Sequence, residues 1–334
     1  MALQSSGQLK FSQIENEFGK NGSRSLGKYR VSQSFGALKN LPLDSGIPQS
    51  GQIKFSDFYG KRLNIIVNYY SGGTVYRQNA RSKYNSNSSG QVPCVGGFRS
   101  RPSNSSGTKV RIHVNKKIGS KKSSNRTLVA LKTGTWNGGT QLIVDVGGSG
   151  KIIGAGGNGG KGGDNNKDKG EDGENGTSGL GLSYPVTINN SGLIAGGGGG
   201  GAGGGGAYDT DKWDDELASG GGGGGGAGLP SGNGGERGNG WEADGEKGED
   251  GGQNGGGSGG EGGKQDGEAI GGDGGNGGDL GDDGENGEKG KGEKDSNGGE
   301  GGENGYWIVT DGNNYSITTY GGTTEGSATS ADPD

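Results

Sequence analysis

The chain has 334 residues, of which 89 are glycine and only 24% are hydrophobic, which excludes a single large apolar core. Its net charge of −5 conceals a division: Met1 to Lys151 hold 23 Lys and Arg against 5 Asp and Glu, and the rest of the chain holds 10 against 33. One cysteine, Cys94, excludes an intrachain disulfide, and no stretch approaches the roughly 18 apolar residues of a membrane span.

The opening MALQSSGQLKF lacks a basic region followed by an apolar run, so export by a signal peptide is not expected. An internal repeat follows: SGQLKFSQI (Ser6 to Ile14) recurs as SGQIKFSDF (Ser50 to Phe58). Ser12 with Glu15 fits a capping box, and Gly19 is placed to end a short helix after Phe18. Residues 1–63 therefore read as a small module, either a packing unit or the part that docks the chain on a larger assembly.

From Leu63 to about Ile153 the pattern is β. LNIIVNYY, KVRIHVNKKI, TLVALKTGTW and LIVDVGG are short runs rich in Val, Ile, Tyr and Thr, separated by Gly, Ser and Asn. Such strands at short intervals predict a β-sandwich-like domain over residues 64–153. His113 and Trp136 fall inside it, and a lone His on a strand reads as a hydrogen-bonded or surface residue rather than a ligand.

Beyond Gly154 the period changes to three. Between Gly245 and Gly305, 16 of the 21 positions in one three-residue register are glycine, the exceptions being Asn254, Asp266, Ala269, Glu293 and Ser296. Glycine at every third position lets backbones approach closely, as in collagen, but there is no proline between Pro230 and Pro333, so collagen fails. A disordered linker has no reason to keep glycine in phase. The expectation is a mainly β and irregular fold in which residues 154–305 form a bundle of about ten antiparallel glycine-rich polyproline-II helices. Residues 306–334 then supply a closing β segment and a disordered tail.

Ten glycine runs joined by brief connections must alternate in direction, so odd-numbered connections share one end. These are Asp164 to Lys169, Tyr208 to Ser219, Trp241 to Asp244, Lys264 to Ile270 and Lys291 to Asn297. Three even connections are short (LPS, QN, DLGDD), and the fourth, Leu180 to Ala195, reads as a hairpin turning at Asn189 and Asn190. The odd end carries Tyr208, Trp213 and Trp241, aromatic groups with no evident core, which suits ligand contact on a rigid scaffold.

INNSGLIAGGGGGGAGGGG (Ile188 to Gly206), the glycine runs alternating with unlike loops, and the closing YWIVTDGNNYSITTYGG (Tyr306 to Gly322) resemble the distal tail-fibre adhesins of T-even-type bacteriophages. The resemblance covers about Gly154 to Thr323. It implies a receptor-binding virion protein at the tail-fibre tip, a layered glycine bundle, and variable loops that contact a host cell-surface receptor, either a glycan or an outer-membrane protein. Carried onto the odd connections, receptor contact falls to Asn165, Lys167, Tyr208, Asp211, Lys212, Trp213, Asp214, Trp241, Glu242, Lys264, Gln265, Lys291 and Lys294. SGQLKFSQIENEFG and IPQSGQIKFSDFYGKRL look like an N-terminal module of marine cyanophage tail and fibre proteins, which implies other phage tail or fibre proteins as partners.

Other classes fit less well. With one His, one Cys and no nucleophile beside a base, no catalytic constellation is present and an enzyme is not expected. A structural tail or collar spacer would have plain loops without aromatics. GGDGGNGGDLGDDG (Gly271 to Gly284) superficially resembles a calcium-binding repeat, but that motif needs a period of nine. An ice-binding glycine protein would want small apolar or Thr faces, where Glu, Asp, Lys and Asn stand here. The acidic half repels nucleic acid, no membrane insertion is expected, and no cofactor is expected beyond a divalent cation such as calcium bridging to an anionic cell surface.

Overall fold

The computed structural model describes residues 2–20, 22–30, 43–44, 46–70, 72–86, 91–94, 97–100, 105–164, 168–210, 215–240, 243–265 and 268–334. The N-terminal repeat explains itself at once. The amide of Lys10 donates to Gln13 Oε1 at 2.7 Å at the start of α1 (Phe11–Phe18), and the amide of Lys54 donates to Asp57 Oδ2 at 2.7 Å at the start of a 3-10 turn (Phe55–Phe58). The cap therefore lies at Lys10 and Gln13, two residues before the Ser12–Glu15 pair expected. Gly19 does end the helix, at φ 91, with its amide bonded to Glu15 O. Both copies bury an apolar residue at their ends, Ile14 and Phe58, into an aromatic cluster with Phe18 and Tyr29. The Leu63 amide donates to buried Glu17 at 2.7 Å and fixes this module to the first strand.

The strands that follow are parallel. They make five coils of three: β1 (Asn64–Tyr69), β2 (Val75–Tyr76) and β3 (Gln78–Asn79); then, after α2 (Ala80–Ser86) and a hairpin of β4 (Gln91–Cys94) and β5 (Gly97–Ser100), β6 (Lys109–Val114), β7 (Lys117–Gly119) and β8 (Val129–Lys132). The third coil is β9 (Gln141–Val146), β10 (Lys151–Ile153) and β11 (Ser178–Gly181). The fourth opens with β12 (Val186–Asn190) and β13 (Leu193–Ala195). With β19 (Ile308–Val309), β20 (Tyr315–Thr319), β21 (Thr323–Glu325) and β22 (Ala328–Thr329) from the end of the chain, equivalent strands of successive coils pair into three five-stranded sheets, β1-β6-β9-β12-β20, β2-β7-β10-β13-β21 and β3-β8-β11-β19-β22.

Within the first sheet Val67, Ile112, Val144, Ile188 and Ile317 stand in register. In the second the ladder is Val75, Ile118, Ile152, Ile194 and Thr324; in the third it includes Leu131, Leu180 and Ile308. Side chains from all three sheets meet in one core, so the unit is a three-faced parallel solenoid. Each fully buried Ile or Leu contributes roughly 1.5–3 kcal/mol, which lets this half fold on few apolar residues.

The glycine-rich chain enters as two insertions at the same corner, between the second and third faces: residues 154–177 in the third coil and 196–307 in the fourth. Backbone hydrogen bonds cross-link its extended segments in steps of three. Glu171, Glu174 and Thr177 donate to Lys161, Asn158 and Ala155, an antiparallel register, and Gly248 and Gly251 donate to Gly235 and Gly232 likewise. Segments 196–206 and 220–228 are buried throughout, bonded on every side by other segments, and are almost pure glycine with Ala202 and Ala227. Peripheral segments are buried at only some positions and carry Glu, Asp, Lys and Asn at the others. After 196–307 the fourth coil closes with β19 (Ile308–Val309), and the fifth is β20 (Tyr315–Thr319), β21 (Thr323–Glu325) and β22 (Ala328–Thr329).

The β-sandwich and the bundle of polyproline-II helices expected from the sequence are therefore corrected. The protein is mostly β with parallel sheets; its two α-helices among the described residues are α1 and α2, and no helix is assigned to the described residues of 154–305. The alternation of apolar and polar residues reported one buried face per strand, which a parallel coil satisfies as well as a sandwich. The period of three reported how closely backbones approach, not the conformation of the segments. The hairpin expected at Asn189 and Asn190 is corrected too: residues 178–195 supply β11, β12 and β13, one to each sheet, all parallel to their neighbours. The C-terminus is held to the solenoid, with the Asp334 amide donating to Thr127 O at 3.0 Å.

Candidate functional site

The glycine-rich part has two unlike ends. At the end beside the solenoid, Leu229 and Leu280 from its turns pack with Ile153, Leu193, Ala195 and Ala227. Arg126 reinforces this contact by donating through Nε to Asn304 O at 2.6 Å, pairing with Glu303 and lying 4.4 Å over the Tyr306 ring. The turn at 279–283 is real: Asp282 N donates to Asp279 O at 3.0 Å, and Gly281 has φ 77.

At the far end all five odd connections meet. β14 (Ala207–Thr210) and β15 (Asp215–Ala218) form a hairpin, and β14 pairs on its other edge with β18 (Lys294–Asp295). A second hairpin joins β16 (Lys264–Gln265) to β17 (Ala269–Ile270), and bridges link Ala218 with Ala243 and Ile270 with Lys291. The remaining connection, Asp164 to Lys169, reaches the base of β14 through the Gly206 amide, which donates to Asp168 O at 3.2 Å, and Asp164 Oδ1 accepts from the Asn239 amide and from Lys161 Nζ at 2.8 and 2.9 Å. The Asn239 bond, opposed by burial and assisted by Lys161, holds its carboxyl below the ordinary Asp value. Beneath lie Ala218, Ala243 and Ala269 in a small buried cluster, with Ser219 Oγ donating to Gly238 O and accepting from the Gly245 amide.

Among the residues expected to contact a ligand, Tyr208, Lys264, Gln265, Lys291 and Lys294 are described. Tyr208 is half-buried with Lys294 Nζ 5.3 Å above its ring. Lys264 and Lys291 are exposed; Lys264 lies 3.5 Å from Glu261, and Lys291 makes no ion pair among the described residues. Asn165, Lys167, Asp211, Lys212, Trp213, Asp214, Trp241 and Glu242 lie outside the described residues.

The expectation that Tyr208 has no evident core is revised, because it is half-buried in β14, and β14 and β15 carry the frame. Sequence reasoning missed the frame itself: Ala207, Ala218, Ala243, Ala269 and the contact of Thr210 with Glu293. Its signal was present, since alanine replaces glycine where the segments end. Every Lys and Arg after Ile152 also stands within four residues of one of these connections, mostly beside a carboxylate, as in Arg237–Asp244 at 2.8 Å and Lys289–Asp295 at 2.7 Å. Among the described residues no group of three or more His, Cys, Asp or Glu is arranged to hold a metal ion. No helix there is long and apolar enough to cross a membrane.

His113 is half-buried, its ring stacked on Tyr70 at 5.9 Å, and Trp136 is buried against Tyr84. Neither belongs to this end.

No curated protein matches the chain. Among solved structures it is similar to the crystal structure of the gp37-gp38 adhesin tip complex of the bacteriophage S16 long tail fiber, with 20% identity over 98% of this chain and 99% of that chain and a TM-score of 0.43. Residues 78–329, about three quarters of the sequence, match the family described as phage tail fibre adhesin Gp38. The chain belongs to that family and is a phage tail-fibre adhesin, a binding protein of the virion's tail fibre.

Proposed function

We propose that the far-end connections bind a receptor on the host cell surface, and that the solenoid with its N-terminal module fixes the chain to another phage tail or fibre protein at the fibre tip. One observation carries this reading: the connections holding Tyr208, Lys264, Gln265, Lys291 and Lys294 are stitched into a single frame at the end away from the solenoid. A frame of paired backbone lets the loops it carries differ in sequence without disturbing the segments beneath, which suits recognition. Trp213, Asp211, Lys212 and Asp214, which in sequence connect β14 to β15, and Trp241, two residues before Ala243 in sequence, are the anchors of this reading. Asn165, Lys167 and Glu242 extend the contact. The acidic half meets an often anionic surface, so adhesion is proposed to depend on screening or on bridging by a divalent cation such as calcium, with no resident cofactor.

The test is competition for adsorption. Purified protein should slow adsorption of the parent phage to host cells. A variant with residues 211–214 replaced by Gly-Ser-Gly-Ser should remain folded and fail to compete. Equal competition by that variant would remove residues 211–214 from the site.

A further inference from the structure

At the near end, where the second coil meets the turn after segment 220–228, Tyr76, Arg77, Ser120, Lys121, Lys122 and Pro230 line an open cleft of about 460 Å³. Its walls come together because Gly119 has no side chain: a Cβ there would fall 2.4 Å from Leu229 O and 2.8 Å from the Tyr76 ring. Backbone bonds hold the arrangement, with the Arg77 amide donating to Gly119 O at 2.9 Å and the Ser120 amide to Leu229 O at 3.0 Å.

Three features of the cleft have no structural use. Tyr76 is 48% exposed beside Pro230, a flat apolar wall left uncovered. The side chains of Arg77 and Lys121 make no hydrogen bond or ion pair among the described residues, whereas Lys122 is occupied, donating to Asn233 and Asn158 at 2.7 and 3.2 Å. Arg77 also sits at φ 44, a region that residues other than glycine seldom adopt. Ser120 is 1% exposed, and its hydroxyl has no hydrogen-bond partner among the described residues. A buried hydroxyl left in that state is costly, and a ligand hydroxyl would relieve it.

We propose that this cleft binds an anionic sugar residue, with its ring against Tyr76 and Pro230, its carboxylate or phosphate on Arg77 and Lys121, and a ring hydroxyl at Ser120 Oγ. The combination selects the class. An acidic peptide would answer the cations but leaves the flat wall and the hydroxyl unexplained, and a neutral sugar leaves two free cations facing nothing. The site lies at the end opposite the far-end loops, so it stands or falls independently of their role.

The full chain is titrated, with calorimetric readout, against glucuronate, glucose 6-phosphate, glucose, inorganic phosphate and tetraglutamate. At least one anionic sugar should bind about tenfold or more tightly than glucose, phosphate or tetraglutamate, and the better of the two identifies the preferred anion. Tyr76→Ala and Arg77→Gly should each weaken that binding about tenfold with the unfolding midpoint unchanged, and Lys121→Ala serves if either fails to fold. No binding, equal binding of glucose, phosphate or tetraglutamate, or binding indifferent to these substitutions would overturn the proposal.

Discussion

A Cβ built on Gly199 would fall 1.8 Å from the carbonyl oxygen of Gly302, so the central glycine segment and the last one touch backbone to backbone. The same carbonyl accepts the Gly284 amide at 2.8 Å, so it cannot retreat without losing that bond. Gly199→Ala should therefore destabilise the protein by about 1–3 kcal/mol or more through forced separation of the segments. Gly255→Ala, where the nearest atom is Asp279 Oδ1 at 3.6 Å, should be close to neutral. Chemical denaturation of the two variants checks this, and equal effects would contradict the packing described.

The docking of the glycine-rich part on the solenoid passes through Arg126, which bonds Asn304 and Glu303 and covers Tyr306. Arg126→Ala should cost about 1–3 kcal/mol, and Arg126→Lys should recover little of it because an ammonium cannot reproduce the planar fork. Amide exchange should rise first at Gly305 and Tyr306. Unchanged exchange there would show that the apolar contact of Leu280 with Ile153 and its neighbours suffices.

His113 is the chain's single histidine, and its pKa lies below the ordinary value, first because of burial, with Asp145 opposing and Arg111 adding to the shift. A folded pKa below the unfolded one means that the unfolded chain binds the proton more readily. Stability from this group is therefore full above about pH 6.5 and falls as pH drops from there toward the folded value. Thermal unfolding of the wild type should show that decline, and His113→Gln should flatten it. An identical slope in both would assign the pH dependence to carboxylates.

How much of this was legible in the sequence differs by element. Val110, Ile112 and Val114 alternate with Lys109, Arg111 and His113, which fixed the buried face of β6 correctly. Nothing in that alternation says whether the partner strand is parallel, and the partners, β1 and β9, lie about one coil away in sequence. The segment from Leu180 to Ala195 misled for the same reason: Asn189 and Asn190 look like a turn, yet Asn190 is fully buried, its side chain bonded to Thr323 O and the Gly192 amide. The order of the glycine runs and the clustering of the odd connections followed from length and phase. The frame around Tyr208 did not, because its short hairpins are joined to loops distant in sequence only by a two-residue pairing and single bridges.

The proposed receptor contact at the far end is tested most directly by crosslinking on host cells. A photo-crosslinking residue is placed at position 213, between β14 and β15 in sequence, or at position 253, beside Lys117 at the near end. Each protein is irradiated on intact host cells. A crosslink to a cell-surface molecule is expected from position 213 and none from position 253; crosslinking from 253 with none from 213 would contradict receptor contact at the far end.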